Sequence, residues 1–563
     1  MGPIQSKTTP PYESMADRIV RVMEDLGDLE AYYKVNTSPT RYRRIQAFFE
    51  EEIASLKDVP FDDLDQEGKV DYILLRNYLR YQLNGLIRDA EQEAKVLPYL
   101  GGYFTVRLTR IIESRQAVDD VDGKQIASWL VECMEHIESV RKGIVDGKEK
   151  VDPVIALRAT KTLAELKEHL VEWYSFYKDY DPLFTYWISD PYPKVDKALQ
   201  NLIDTIKQVA IGIAPDDTDT IIGEPLGRAR ILEALQSEMI PYTPEQLIEI
   251  GHKEYAWCEA EMVAAASSLG FQNWRDALEH VKQQYVEPGK QPQLVRDQIK
   301  EATTYVQKHS LVTVPPLCAE TIRTYMMSPS AQKINPFFLG GPEIIVSYPT
   351  STMPHSQKLM SMRGNNLHFS RATVFHEMIP GHHLHMHYMA RHRPYRQHFT
   401  TPFCIEGWAF YWEVVLYDAD SWHKTPENKI GMLFWRMHRC ARIIFSLKYH
   451  LGAMSAQECI ELLVDWVGHE RATAEGEVRR SIMGDYGPLY QAGYMLGGLQ
   501  LWALRKELVG NNGEGEGKMG EKAFHDAFLR SNQMPVELFR ALVKGEVLER
   551  EGESSWEFYE GLE

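Results

Sequence analysis

The chain has 563 residues, of which 62 are Lys or Arg and 80 are Asp or Glu, a formal net charge of −18, with 44% hydrophobic and 25% charged residues. These proportions are those of a soluble globular protein and exclude disordered, collagen-like and disulfide-stapled classes. The acidic balance, with a pI near 5.6, argues against a nucleic-acid or anionic-membrane partner, since both are held by clustered Lys and Arg.

Six scattered cysteines (Cys133, Cys258, Cys318, Cys404, Cys440 and Cys459) form no C-x-x-C pair, the pattern of free thiols in a reducing compartment. The start, MGPIQSKTTPPYESM, lacks the apolar core of a secretory signal, and no later run approaches the ~18 apolar residues of a membrane span. Gly2 and Ser6 formally fit a myristoylation pattern, but it is short and Pro3 stiffens the chain beside the acceptor glycine. A cytoplasmic location is the expectation.

In chain order, Tyr12 to about Leu311 reads as a succession of amphipathic helices. Within Tyr42 to Leu56, Ile45, Phe48, Phe49, Ile53 and Leu56 fall on one stripe, the spacing of a core-facing helix. Asp71 to Leu83 and Ala159 to Tyr177 repeat the theme, with Asp181-Pro182 and Asp190-Pro191 as punctuation. Between Val312 and Ser370 the pattern changes to Pro/Gly punctuation and β-branched runs, and Glu343 to Tyr348 (EIIVSY) is the strand candidate. Helical patterning then resumes, broken by a loop from Gly510 to Gly520 without the lysine context of a phosphate-binding turn.

Seven of the 19 histidines lie between His376 and His398. The cluster opens with RATVFHEMIPGHHLH, Arg371 to His385, and Ser370 before it reads as a helix N-cap. His376-Glu377 resembles the start of H-E-x-x-H, in which two histidines one turn apart hold zinc and the glutamate activates water, but Pro380 stands at the fourth position. On a straight helix His382 would lie about 120° off the His376 face and His383 about 20°, at rises of about 9 and 10.5 Å, too far to share an ion. Pro380 cannot donate to the His376 carbonyl and Gly381 accepts unusual dihedrals, so a bulge or break is expected where the ladder must shorten. The residues alone leave His382 and His383 level. His385, His387, His392 and His398 read as structural.

A carboxylate is the usual third partner. Cys404 to Leu416 (CIEGWAFYWEVVL) is an apolar helical run interrupted by Glu406 and Glu413, two turns apart on one face. A buried acid is costly unless paired or coordinated. Glu406, nearer the turn at Thr401-Pro402, is the better ligand candidate, and Glu413 suits a role orienting a histidine from behind.

These residues resemble the family catalogued as domain of unknown function 885, large helical proteins similar in style to zinc metallopeptidases. The resemblance rests on HEMIPGHHLH (His376 to His385), IEGWAFYWE (Ile405 to Glu413), RCARIIFSLKYH (Arg439 to His450), PLYQAGYMLGGLQLWALR (Pro488 to Arg505) and FHDAFLRSNQMPVELF (Phe524 to Phe539). It is firm over the last 200 residues and loose before them. By the family pattern H-E-x-x-P-G-H it implies zinc ligands His376, His382 and Glu406, with Glu377 as general base and His450 and Tyr494 as donors to the tetrahedral intermediate. It also implies a mainly α, two-lobed zincin-like fold with a central cleft and a small β-sheet, its scaffold lobe at 1–312 and its catalytic lobe at 313–563 forming one continuous helical architecture. His385 replaces a frequent glutamine, and Ser446-Leu447-Lys448 replaces an Asp-Thr-Gly run.

The function so implied is a zinc-dependent metallohydrolase cleaving a peptide or amide bond in short peptides or amino-acid conjugates. The altered 446–448 segment motivates a second reading, a metal-dependent lyase, cyclisation or condensation step of small-molecule biosynthesis. A helical binding protein with a structural metal is the third.

Overall fold

The computed structural model describes residues 13–147, 152–217, 219–332, 337–419, 422, 424–483, 486–510 and 518–562. The myristoylation pattern at Gly2 and Ser6, and residues 511–517 of the glycine-rich loop, lie outside them. The chain divides into two compact units, Met1–Asp62 with Leu75–Ile222 and Asp63–Leu74 with Gly223–Glu563.

Helices are the only regular elements of the first unit among its described residues. Helices Pro39–Leu56, Pro153–Tyr177 and Pro182–Ile188 start alike: Ser38, Asp152 or Asp181 accepts from backbone N–H groups of the first turn and a proline occupies the first helical position, where a missing N–H costs nothing. The expected stripe buries Ile45, Phe48, Phe49 and Leu56, while Ile53 is half-buried. Asp71 to Leu83 lies inside one long helix, Gln66–Leu100, of which the part from Leu75 onward belongs to this unit. Trp173, Phe104, Leu130, Leu170 and Phe184 are at most 1% exposed and anchor the core.

The second unit is also mainly α. Its division from the first falls at Ile222/Gly223 and not at 312/313, because the helices before residue 312 pack with those after it. Gly251, on helix Pro244–Ser268, lies against Ile443 and Ile444 of helix Pro426–His450. The composition change at Val312 therefore marks a change of local structure inside one packed unit.

That change holds the small sheet. Strand β2, Glu343–Val346, pairs in parallel with β1, Arg323–Met326, in the register Arg323↔Glu343 to Met326↔Val346. Ile344 and Val346 are buried against Val295, Ile299, Val374 and Met378, so the sheet backs onto the helix that carries His376.

Candidate metal centre

Four helices build the site. The first, Leu367–Glu377, begins a turn before the expected cap: Asn366 accepts from the N–H groups of His368 and Phe369, and Ser370 lies inside the helix with Oγ bonded to the Leu367 carbonyl. The helix ends at Glu377, passes a cis Ile379–Pro380 bond and restarts as His382–Met389. Gly381 donates to the Phe375 carbonyl at 3.0 Å, and a Cβ there would lie 1.8 Å from the His376 carbonyl oxygen. Only glycine lets the chain fold back this far. Trp408 Nε1 donates to the Pro380 carbonyl at 2.9 Å and fixes the turn to the third helix, Pro402–Asp418.

The third helix carries Glu406 and Glu413 and starts at Thr401, whose Oγ1 accepts from Phe403 N–H. It packs against the fourth, Tyr490–Leu508. A Cβ on Gly407 would meet Gly497 at 2.8 Å, and one on Gly497 would meet the Phe403 carbonyl at 2.1 Å. The two backbones are thus in contact, which brings the tyrosines of the fourth helix to the carboxylate of the third.

The break in the histidine helix has the geometric effect required of it. Nε2 of His376 and Nε2 of His382 lie 3.6 and 3.1 Å from the same oxygen, Oε2 of Glu406. A tetrahedral ion with bonds of about 2.0–2.2 Å places its ligand atoms about 3.4 Å apart, and both histidine–Glu406 distances are close to that spacing. His376, His382 and Glu406 are at most 7% exposed. One ligand atom each of His376, Glu377 and His382 also fall within 4.8 Å of one another, and Glu377 is only half-buried. The closer spacing favours Glu406 as ligand and leaves Glu377 beside the cluster. Gly340, in the turn before β2, lies on Glu377: a Cβ there would be 2.2 Å from its Oε2.

Behind the donors, Oε1 of Glu413 lies 2.8 Å from His376 Nδ1 and 3.2 Å from Arg439 Nη2. Its contact with His376 is one of charge and proximity, off the line of a straight N–H bond, and favours the proton on Nδ1 with Nε2 free for an ion. The Tyr490 hydroxyl donates to Glu406 Oε1 at 2.6 Å. Burial raises the Glu406 carboxyl, but His382 and His376 outweigh it and hold the group well below the usual range. For His376 burial pushes the pKa down, while Glu406 and Glu413 carry it up to about 9. The pocket demands positive charge at this point, which a proton or a divalent cation satisfies.

Of the other expected residues, His383 faces away: Nδ1 is 3.1 Å from the Gly341 carbonyl and Nε2 is 2.9 Å from that of Cys318. His385 is fully buried between Trp408 and Phe528. Tyr494 stacks on His376 at 6.1 Å between ring centres. Among the described residues no hydrogen bond or ion pair joins the His450 Nδ1 to the cluster. His450 ends helix Pro426–His450, eight residues and so about 12 Å of rise beyond Arg442, whose guanidinium covers the Tyr494 ring. Burial and Arg230 push its pKa down to about 4.

Sequence reasoning passed over Tyr490, Arg439 and Arg442. The first stands one turn before Tyr494, and the two arginines interrupt an apolar stretch of helix just as Glu406 and Glu413 do, so the same cost-of-burial argument applied to them.

Fold and site together define a mainly α protein with a buried two-histidine, one-carboxylate cluster. The family model described as "Bacterial protein of unknown function (DUF885)" matches residues 25–543, and the chain belongs to this family. Two solved structures are similar in fold. A "putative lipoprotein of unknown function" from Shewanella oneidensis superposes with a TM-score of 0.68 at 18% identity, covering 94% of this chain and 100% of its own. A "putative lipoprotein" from Colwellia psychrerythraea gives 0.59 at 15% identity, covering 95% and 99%. No curated protein matches the chain.

Proposed function

We propose that the chain is a zinc-dependent metallohydrolase that cleaves a peptide or amide bond in short peptides or amino-acid conjugates. The observation that carries this reading is the convergence of His376 Nε2 and His382 Nε2 on Glu406 Oε2 at 3.6 and 3.1 Å, with Glu377 alongside. His376, His382 and Glu406 would hold the ion. Zinc in such a set lowers the pKa of water and polarises a carbonyl.

The residues then divide the work. Glu377 takes a proton from water as the water oxygen bonds to the carbonyl carbon. The C–N bond breaks with its electron pair on nitrogen, and Glu377 returns the proton to the departing amine, leaving a carboxylic acid and an amine. Tyr494, kept protonated by burial and by Glu406, is the O–H donor for the carbonyl oxygen as charge builds on it. Glu413 and Tyr490 hold His376 and Glu406 in place.

The test is metal analysis with a panel of short peptides and acyl-amino acids. One equivalent of zinc per chain is expected, lost in His376→Ala, while Glu377→Gln keeps the zinc and loses turnover at least 1,000-fold. Substoichiometric metal that His376→Ala leaves unchanged overturns the reading. Stoichiometric zinc without turnover of any amide moves the function to a metal-dependent biosynthetic step on the same donors.

A further inference from the structure

Among the described residues, no polar group holds the general base of the proposed reaction. Glu377 closes its helix and is half-buried, and its carboxylate makes no hydrogen bond or ion pair there. A base that takes a proton from one defined water has to be kept within hydrogen-bond reach of it, so its direction needs another source. What Glu377 touches is backbone. A Cβ on Gly340 would lie 2.2 Å from its Oε2, 2.5 Å from its Cβ and 2.7 Å from its Cα. The turn at Gly340 therefore runs along the whole side chain and closes that side to other rotamers.

The turn is tied down at both ends. Before it, Leu339 exchanges two backbone hydrogen bonds with Ile345, at 3.0 and 2.8 Å, and Phe338 is buried in the same apolar cluster as Ile344 and Val346 of β2. After it stands His383, itself buried, with Nδ1 3.1 Å from the Gly341 carbonyl oxygen. The other ring nitrogen, Nε2, lies 2.9 Å from the carbonyl of Cys318, on the short helix Pro316–Glu320 that precedes β1. A carbonyl only accepts, so the bond that bears on the turn runs from His383 Nδ1–H to Gly341. His382 and His383 are neighbours on one helix and point about 100° apart. The first reaches Glu406 at 3.1 Å, and the second reaches the turn that lies on Glu377.

We infer that His383 is a positioning residue for the base: its Nδ1–H bond to the Gly341 carbonyl holds the turn at 339–341 against Glu377, and the turn aims the carboxylate at the water it deprotonates. This rests on the hydrolase reading and adds to it a residue that touches neither the metal donors nor the substrate. One turn of helix thus sets a metal donor and, through the sheet's approach, the base.

The test uses the covalent reach of two amides. The side-chain nitrogen of Asn stands two bonds from Cβ, as Nδ1 of histidine does, and that of Gln stands three bonds away, as Nε2 does. His383→Asn therefore keeps a donor for Gly341, His383→Gln keeps one for Cys318, and His383→Leu keeps neither. Full-length, zinc-loaded variants are assayed on the short peptide or acyl-amino acid that the wild type cleaves fastest. His383→Leu and His383→Gln are expected to lower kcat about 10–100-fold with KM within about twofold and the zinc retained, while His383→Asn stays within about threefold of wild type. A role confined to packing would lower Asn and Gln alike, so equal kcat for these two overturns the inference, and does so even where His383→Leu fails to fold. Crystal structures of the Asn and Gln variants give a readout free of any substrate: the turn is expected against Glu377 in the first and displaced from it in the second, and a turn unmoved in His383→Gln overturns the inference. Equal turnover by all variants removes the positioning role and keeps the hydrolase. A wild type that cleaves no amide removes the hydrolase, and the two structures then decide by themselves whether His383 places Glu377.

Discussion

Glu413 illustrates how much one buried carboxylate carries in this site. It is 1% exposed and lies against both His376 and Arg439, and those partners hold its pKa below the usual range against the opposing effect of burial. Removing its charge leaves His376 without its rear partner and Arg439 without a counter-ion. For Glu413→Gln we expect zinc affinity, measured by competition with a chelator, to fall about 10–100-fold, and unfolding stability to fall by about 3 kcal/mol. Glu238 is a contrasting case. It accepts from the Thr401 hydroxyl at the start of the Glu406 helix, and burial pushes its carboxyl up to about 7, against about 4.3 in the unfolded chain. A raised carboxyl favours the folded state fully at low pH, and that contribution is lost as pH rises from about 4.3 through 7. Because the residue keeps part of its surface in solvent, about 1–2 kcal/mol is expected in place of the roughly 3–4 of the full shift. Glu238→Gln should therefore unfold at the same denaturant concentration as wild type at pH 4 and at a higher one at pH 8.

At the scale of elements, the glycine seam between helices Pro402–Asp418 and Tyr490–Leu508 is the feature on which the site depends. Gly497→Ala places a methyl group 2.1 Å from the Phe403 carbonyl, so the helices must part. A loss of about 3 kcal/mol or more in a denaturant titration is expected, together with loss of the Tyr490–Glu406 bond. The same scale shows what a reader of the sequence can and cannot see. Periodicity recovers the helices because each buries one stripe, and Pro380-Gly381 announces the break in the histidine helix because backbone chemistry forces it. β1 is invisible by the same logic: Arg323, Thr324, Tyr325 and Met326 are all exposed, so no alternation of burial is written into them. Ser370 misleads because it is a good cap that stands within a helix already begun by Asn366. His450 shares a sequence block with Arg439, yet a helix rises ~1.5 Å per residue and carries the two ends of that block to different places.

For the whole molecule, the division into units has a thermodynamic consequence. His376, His382, Glu406, Glu413, Arg439 and Tyr494 all belong to the second unit. Ligand binding stabilises only what it binds. Zinc at 100 times its dissociation constant should add about 2.7 kcal/mol to the second unit's unfolding. A chelator should then lower the temperature of that transition, followed by calorimetry, and leave the first unit's transition in place. A single transition that moves as one body would instead mean that the units unfold together.

The turn at Gly340 lends itself to use. Because its backbone lies on Glu377 and leaves no room for a β-carbon, Gly340→Ala forces Glu377, the proposed base, and its backbone to shift, while His376, His382 and Glu406 keep their identities. On the proposed hydrolase reading, a protein so altered should lose turnover of short peptides by a larger factor than it loses bound zinc in metal analysis, which makes position 340 a steric handle on Glu377.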